Sequence, residues 1–295
     1  MSPLLGIDLG GTRIKYVVIS NDGDLLLKKT HDFDSVKSLE WSRCIGSLTK
    51  DVINQFNLDD LRIGLSAPGL VAKDQRSIRH MPGRLQGLEG LDWTEILKSH
   101  HPVKVINDAQ AALMGEVQRG VAKGMINVIM ITLGTGVGGA AMVDGNLLKG
   151  HLGRAGHLGH VSLKIDGPPD ICRTPGSLEW AIGNYSVKER SQGRFESTHD
   201  LVNACLQGDT FATNIWHQSV QYLATGITSL INVLDPEAII IGGGIAESGE
   251  ALFHPLQTAL DDMEWIVQDH RVRIIKATLG EYAGAYGAAF SARID

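Results

Sequence analysis

The sequence predicts an α/β protein, and two patterns near its start carry that prediction. The runs Leu4–Leu9, Tyr16–Ser20 and Leu25–Lys29 are separated by glycine turns, which indicates an antiparallel meander of strands. A helix-spaced segment then extends from about Val36 to Phe56. Further strand patterns follow at Ile63–Ala67 and Val103–Asn107. Helices that alternate with strands behind a hairpin are typical of an α/β layer.

The opening pattern recurs in the second half of the chain. A strand at Val128–Leu133 is followed by the glycine turn Gly134–Gly139, a second strand at Ala140–Val143 and an Asp-Gly turn. We interpret this recurrence as an internal duplication, although Asp-Gly turns are common enough for coincidence to remain an alternative. The remaining predicted elements are helices at Thr198–Leu206, Phe211–Leu234 and Tyr282–Ala292 and strands at Ala238–Ile241 and Arg273–Ala277.

Composition excludes several classes of protein. The 295 residues are 43% hydrophobic and 20% charged, with a net charge of −6 and no long basic run, so we expect no nucleic-acid partner. No apolar stretch is long enough to span a membrane, and no signal-peptide pattern precedes Asp8. Three widely spaced cysteines do not form a disulfide framework. We therefore expect a soluble cytoplasmic protein.

Glycine is the unusual component. The chain contains 35 glycines, and they cluster between Gly134 and Gly176. Clustered glycine marks backbone that approaches a ligand closely or adopts positive φ. We therefore expect ligand-binding loops.

Two glycine turns have the residues that phosphate binding requires. Gly10-Gly11-Thr12 follows Asp8, so backbone N–H groups and a hydroxyl can face phosphate oxygens while the carboxylate suits hydrated Mg²⁺. Gly134–Gly139 offers the same groups, and a purely structural hairpin is the alternative for either turn. The second turn also fits a dinucleotide-binding pattern, but the strand-like Ala140–Val143 follows where a helix would be needed.

Asn107 and Asp108 end a strand and open a helix. Asp108 could be the N-cap of that helix, or it could be a general base that takes a proton from a hydroxyl. The Asn107 amide can both donate and accept hydrogen bonds, which suits a polyol ligand.

These motifs together resemble the ROK family of sugar kinases and sugar-responsive repressors. The resemblance extends from residue 4 to about residue 290 and rests on Gly6–Thr12, Asn107–Ala112, Gly134–Gly139, Gly156–His160 and Ile241–Gly244. It implies the actin-like ATPase (ribonuclease H-like) fold, with two α/β domains around an ATP cleft, and a homodimer. The implied domains are residues 1–113, joined by the C-terminal helix at about 282–295, and residues 114–281.

The resemblance also implies residue roles in ATP-dependent transfer of a phosphoryl group to a hexose hydroxyl, commonly the 6-OH of a glucose-like sugar. Asp108 matches the general base, and Asp8 is expected to hold Mg²⁺ through water. The matching sugar ligands are Asn107, Asp108, His157, His160 and Glu179. The matching ATP and phosphate ligands are Asp8, Gly10, Gly11, Thr12, Lys15, Gly134, Thr135, Gly136, Gly242, Gly243 and Gly244.

The chain departs from the family pattern at two places. His157 stands where the family usually has Glu, which leaves open a kinase for an N-acetylated or modified hexose, or a non-catalytic sugar sensor. The family's zinc site uses the histidine matched by His160 and three cysteines, but this chain has Asp170, Cys172 and Ser177 at the cysteine positions. We therefore expect no structural zinc. A metal held by His151, His157 and His160 is a less favoured alternative.

Three further alternatives concern the class of protein and the phosphoryl donor. Polyphosphate could replace ATP as the donor. Only seven residues precede Asp8, which disfavours a DNA-binding repressor. A cytoskeletal or chaperone-like ATPase would not need Asn107, Asp108 and His160.

Overall fold

The computed structural model describes residues 3–293 except 36, 38, 59 and 82–84. The chain divides into two compact units, in which unit 1 comprises Met1–Gly124, Lys149–Ala155 and Thr278–Asp295, and unit 2 comprises Met125–Leu148 and Gly156–Ala277. The domain ranges expected from the sequence, residues 1–113 with about 282–295 and residues 114–281, stay a prediction.

Unit 1 contains a five-stranded sheet, a two-stranded ribbon and packed helices. In chain order its first elements are β1 (Leu4–Leu9), β2 (Arg13–Ile19), β3 (Leu25–Asp32), α1 (Glu40–Phe56), β4 (Arg62–Ala67), β5 (Leu70–Val71), β6 (Ile78–His80), α2 (Trp93–Leu97), β7 (Lys104–Asn107) and α3 (Asp108–Gln118). The sheet order is β3-β2-β1-β4-β7, antiparallel across β3-β2-β1 and parallel across β1-β4-β7.

Unit 2 begins with β8 and ends with β12. Its elements are β8 (Val128–Leu133), β9 (Val137–Val143), β10 (Asn146–Leu147), α4 (Leu178–Ile182), α5 (Val187–Arg190), α6 (Thr198–Leu206), α7 (Thr210–Leu234), β11 (Ala238–Gly242), α8 (Glu250–Met263) and β12 (Arg273–Lys276). Its sheet has the order β10-β9-β8-β11-β12, with the same pattern of antiparallel and parallel pairs as in unit 1. The two sheets therefore share the topology that an internal repeat predicts.

The chain returns to unit 1 through a last helix, α9 (Ala283–Ser291). Side chains alternate across β1, so Leu5, Ile7 and Leu9 pack in one core with α1, while Leu4 packs in another with α9. Asp8 therefore emerges on the α9 face of the sheet. This placement decides the surroundings of its carboxylate.

Several element boundaries differ from the sequence prediction, among them the starts of the first helix, the last helix and strand β9. The first helix begins at Glu40, because Leu39 has a left-handed φ of 55° and cannot continue it; Val36 lies outside the described residues. The last helix begins at Ala283 after a 3₁₀ turn at Gly280–Tyr282. Strand β9 begins at Val137 rather than Ala140, so part of the predicted glycine turn belongs to the strand.

Candidate active site

Asp8 lies near the end of β1 with its carboxylate half-buried against α9. Ser66 Oγ on the neighbouring strand β4 donates to Asp8 Oδ1 at 2.7 Å. A Cβ atom added to Gly284 in the first turn of α9 would lie 2.7–3.0 Å from the carboxylate atoms of Asp8. Burial raises the pKa of Asp8 to about 6, and Asp108 adds to the rise, whereas Ser66 and Lys15 oppose it. The carboxylate is therefore held in a setting where a bound cation would favour its charged form.

Asp108 follows β7 at the start of α3 and is exposed. The N-cap of this helix is Asn107, not Asp108, because Asn107 Oδ1 accepts from the backbone N–H of Ala109 at 3.0 Å and of Gln110 at 3.3 Å. Asp108 Oδ1 accepts from Ala109 N at 2.8 Å. Charge repulsion from Asp108 acts to raise the pKa of Asp8.

The capping role of Asn107 restricts what its amide can bind. The residue is 5% exposed, and its Nδ2 donates to the carbonyl oxygen of Gly69 at 3.2 Å. Since its oxygen already accepts two backbone N–H groups, the second hydrogen on Nδ2 is the group left for a ligand.

The first glycine turn joins β1 to β2. Gly10 N–H donates to the Arg13 carbonyl at 2.9 Å, which closes the turn. Gly11 and Thr12 are exposed, and a Cβ atom on Gly11 would have no heavy atom within 4 Å. Lys15 Nζ lies 3.4 Å from Glu281 Oε2. The turn thus presents open backbone beside Asp8.

The second glycine turn lies in unit 2 and contacts Glu179 directly. Gly134 N–H donates to the Gly136 carbonyl at 2.9 Å, and Glu179 Oε2 accepts from the N–H of Val137 at 2.9 Å. A Cβ atom on Gly136 would lie 2.3 Å from that same oxygen. Thr135, at the tip of the turn, is exposed. The structure therefore joins an expected sugar ligand to an expected phosphate loop, which the sequence does not indicate.

The third glycine run ends β11. Gly243 has a φ of +87°, and a Cβ atom there would lie 2.3 Å from the carbonyl oxygen of Leu133. Gly243 and Gly244 are exposed, and Gly244 has open space around the position of a Cβ. Position 243 therefore needs glycine for the fold itself, because a side chain there would clash with Leu133. The backbone of Gly244, in contrast, is accessible to a ligand.

His157 and His160 bracket a 3₁₀ turn in unit 2. Their rings stack, with centroids 6.4 Å apart. His160 Nδ1 lies 2.8 Å from Asp170 Oδ2, and its Nε2 lies 3.5 Å from Cys172 Sγ. Among the described residues, the group of His, Cys and acidic side chains with ligand atoms within 4.8 Å of one another is His160, Asp170 and Cys172. It includes neither His151 nor His157, so the three-histidine alternative is not assembled.

Comparison with known proteins decides the family. Residues 4–294 match the model of the ROK family. The chain belongs to the ROK family. It is 30% identical over 306 residues to a glucokinase from Thermotoga maritima, covering 97% of this chain and 96% of that protein. It is also 30% identical over 245 residues to an N-acetylmannosamine kinase from Vibrio cholerae, covering 82% of this chain and 83% of the relative.

Solved structures of ROK proteins agree with this fold. A ROK hexokinase from Thermus thermophilus superimposes with a TM-score of 0.83 at 27% identity, covering 99% of this chain and 98% of the other. A ROK glucokinase from Streptomyces griseus, solved with glucose and AMPPNP, gives 0.80 at 25% identity with complete coverage of both chains. The chain therefore has the actin-like ATPase fold expected from the sequence. None of its described helices is both long enough and apolar enough to cross a membrane.

Sequence reasoning missed three residues that shape this ROK site. Ser66 donates to Asp8, Gly69 accepts from Asn107, and Gly284 leaves room for the Asp8 carboxylate. Ser66 and Gly69 lie more than thirty residues from their partners in sequence, so no local motif contains both members of a pair. The sequence Ser66-Ala-Pro-Gly69 at the end of a predicted strand is the signal that could have drawn attention to this turn.

Proposed function

We propose that this ROK protein is an ATP-dependent sugar kinase that phosphorylates a hexose, with glucose as the first candidate and the 6-OH as the acceptor. Family membership over residues 4–294, together with similarity to a glucokinase over 97% of the chain, is the observation that carries the proposal. The exposed Asp108 beside the half-buried Asp8 provides the local chemistry for it.

Asp108 is the proposed general base. Its carboxylate is exposed at the end of β7, where it can accept the proton of a sugar hydroxyl as that oxygen attacks the γ-phosphorus. The remaining hydrogen on Asn107 Nδ2 would donate to a neighbouring sugar oxygen. Asp108 and Asn107 are adjacent on one rigid strand-to-helix junction, which keeps the base and the ligand in fixed relation.

Asp8 is the proposed Mg²⁺ residue, and it acts through water. Bound Mg²⁺ would neutralise charge on the phosphates and would lower the pKa of Asp8, because a nearby cation favours the carboxylate. The backbone of Gly10, Gly11 and Thr12, with Lys15, is proposed to bind phosphate oxygens. The proposed roles in unit 2 are phosphate binding by Gly134, Thr135 and Gly136 and adenosine binding by Gly242, Gly243 and Gly244.

Glu179 is the proposed sugar ligand whose position is best supported. One of its oxygens accepts from Val137 N–H, which fixes the carboxylate and leaves Oε1 to accept from a sugar hydroxyl. His157 and His160 are proposed to bind the same sugar. The homodimer and the cytoplasmic location, where ATP is supplied, also belong to this proposal.

A coupled assay of ADP release with a panel of hexoses and N-acetylhexosamines tests the proposal. We expect turnover of glucose with ATP and Mg²⁺, and a loss of kcat of about 10²–10⁴-fold in Asp108→Asn, because removal of a general base has that effect. Asp22→Asn, an exposed carboxylate in the turn before β3, is the control. Absence of turnover for every sugar, with polyphosphate tried as the alternative donor, would refute the kinase.

The second candidate is a kinase for an N-acetylated hexose. His157 at the position of a family glutamate and the similarity to an N-acetylmannosamine kinase favour it. A neutral imidazole offers one donor and one acceptor, so it suits a sugar that replaces a hydroxyl with an amide. The same panel distinguishes the two, and sugar binding by calorimetry without any phosphoryl transfer would instead indicate a sensor.

A further inference from the structure

The carboxylate of Asp170 is the centre of a hydrogen-bonded cluster in the loop between His160 and α4. Its side chain is fully buried. Oδ2 accepts from His160 Nδ1 at 2.8 Å, and Oδ1 accepts from the backbone N–H of Cys172 at 2.8 Å and of Thr174 at 3.0 Å. The Ser177 hydroxyl is a further hydrogen-bond partner of the carboxylate. One buried carboxylate therefore forms hydrogen bonds with residues at both ends of the loop, His160 and Ser177.

The protonation states in this cluster follow from its contacts. Burial acts to raise the pKa of Asp170, but the hydrogen bonds from His160, Thr174, Ser177 and Cys172 outweigh it and leave the pKa below its usual value. An ionised carboxylate only accepts, so the proton of a neutral His160 ring is on Nδ1 and the lone pair is on Nε2. Cys172 Sγ lies 3.5 Å from Nε2, so the thiol can donate its hydrogen to that lone pair.

This arrangement does not fit the structural zinc site that the resemblance attributes to the family. A structural zinc ion takes four ligands, usually thiolates and imidazoles. Here both oxygens of Asp170 already accept hydrogen bonds, and the proton that we infer on Nδ1 of His160 would prevent that nitrogen from binding a metal. Ser177 is a poor zinc ligand, and its oxygen accepts from Trp180 N–H at 3.2 Å. Only Nε2 of His160 and Sγ of Cys172 would remain for a metal.

We propose that the loop from His160 to Ser177 is closed by the Asp170 carboxylate in place of a metal ion, and that Asp170 is a positioning residue that holds Nε2 of His160 as a hydrogen-bond acceptor. This acceptor selects a ligand that donates a hydrogen bond from a hydroxyl group. A sugar hydroxyl would take the place of the Cys172 thiol as the donor to Nε2. The second part of the proposal rests on the proposed function, whereas closure of the loop without metal does not.

Metal analysis tests the closure. Protein produced with added zinc and dialysed against micromolar Zn²⁺ is expected to retain less than about 0.1 zinc ion per chain, since two remaining ligands bind weakly. The double variant Asp170→Cys with Ser177→Cys supplies two thiolates beside His160 and Cys172, and it is expected to retain about one zinc ion and to lose thermal stability when a chelator is added. Retention of about one zinc ion by the unaltered protein would overturn the proposal.

The tautomer of His160 provides a second test, which does not depend on the double variant. Long-range ¹H–¹⁵N spectra, with His160 assigned by comparison with His160→Gln, are expected to show the proton on Nδ1. Asp170→Asn should move it to Nε2, because the amide of Asn can donate to Nδ1. The control is Asp166→Asn, an exposed acid in the same loop. A proton on Nε2 of His160 in the unaltered protein would contradict the proposal.

Kinetics test the positioning role. Asp170→Asn should raise the KM for the sugar by about ten-fold, the equivalent of one hydrogen bond, with the KM for ATP and the Asp166→Asn control unchanged. A sugar KM that does not change overturns the positioning role. If no sugar is phosphorylated by any form of the protein, the kinase proposal fails, while the metal and tautomer measurements still decide how the loop is closed.

Discussion

At the scale of single residues, hydrogen bonds that are already made decide which atoms are left for a ligand. Asn107 uses its oxygen to cap α3, and Glu179 uses one oxygen to hold the turn before β9. Each therefore offers a single oriented group to a ligand. His157 is the proposed sugar ligand at which we expect sugar preference to be most open to change.

We predict that His157→Glu changes sugar preference more than ATP binding. A carboxylate accepts from two hydroxyls, whereas a neutral imidazole accepts from one and donates to another. The ratio of kcat/KM for glucose to that for N-acetylmannosamine should change by about ten-fold or more, since one altered hydrogen bond is worth about that much. The KM for ATP should stay within about two-fold.

His199→Glu, an exposed histidine on α6, is the matched control and should change neither constant. Equal changes in the sugar and ATP constants, or no change for the sugar, would place His157 outside the sugar site.

At the scale of elements, glycines on two strands allow α9 to lie directly on the sheet of unit 1. A Cβ atom on Gly6 would lie 1.9 Å from the carbonyl oxygen of Ala285, and one on Gly64 would lie 1.8 Å from that of Ala288. Gly287 on α9 is equally close to α3, with the Ala111 carbonyl oxygen at 1.7 Å. Part of the glycine surplus therefore serves helix packing rather than ligand binding.

We predict that Gly64→Ala destabilises the protein by about 3 kcal/mol, because the added methyl group overlaps a backbone carbonyl that cannot move without displacing α9. Gly46→Ala in α1 is the control, since a Cβ there meets nothing within 4 Å and the helix gains about 0.5–1 kcal/mol. Urea unfolding measures both. A destabilisation of Gly64→Ala below that of an ordinary surface change would refute the tight α9 contact.

A second element-scale prediction concerns Glu237, which precedes β11 and holds the segment leading into β8. Its Oε1 accepts from Ile126 N–H at 2.8 Å and Asn127 N–H at 3.0 Å, and these bonds from Asn127 and Ile126 lower the pKa of Glu237. A carboxyl with a lowered pKa contributes stability that is present above the unfolded pKa and is lost as the pH falls through the lower folded value.

Glu237→Gln should therefore lower the free energy of unfolding by about 1 kcal/mol at pH 7, and the difference from the unaltered protein should shrink below about pH 4 as the carboxyl protonates. Denaturant titrations at several pH values measure this. A difference that is constant from pH 3 to pH 7 would show that charge plays no part.

At the scale of the whole molecule, the two units repeat one strand order, and the chain leaves unit 1 after Gly124, re-enters it at Lys149–Ala155 and returns to it finally at Thr278. Glu116 on α3 is fully buried; it precedes Gly124 by eight residues in the sequence and contacts Thr278 in space. Its Oε1 accepts from Thr278 N–H and Leu279 N–H, each at 2.8 Å, and its Oε2 accepts from Val121 N–H at 2.9 Å. One carboxylate thus forms hydrogen bonds with the segment that leaves unit 1, at Val121, and with the segment that returns to it, at Thr278 and Leu279.

We predict that Glu116→Gln lowers the free energy of unfolding by about 2–4 kcal/mol, because the new amide group places N–H donors against backbone N–H groups that lose their acceptor. Hydrogen exchange should quicken at Val121, Thr278 and Leu279. Glu95→Gln, an exposed glutamate in α2, should change stability by less than about 0.5 kcal/mol. Unchanged exchange at these three amides would refute the role given to Glu116.

The sequence by itself determined the alternation of strands and helices, the repeat and the family, because these depend on periodicity and on motifs that are local in the chain. It predicted the strand at Val128–Leu133 and the helix at Thr198–Leu206 at their observed bounds. It misplaced the start of the first helix, because Leu39 adopts a left-handed conformation that no periodic pattern signals.

Only the tertiary structure decided what surrounds each candidate residue. The contacts of Ser66 and Gly284 with Asp8, of Glu179 with Val137 and of Glu116 with Thr278 join residues that are distant in sequence. The sequence assigned the glycines to ligands, but packing requires Gly136 to accommodate Glu179 and Gly64 to accommodate α9. The physical reason is that steric fit and hydrogen-bond saturation depend on which elements meet in space, and local residue patterns carry no information about that.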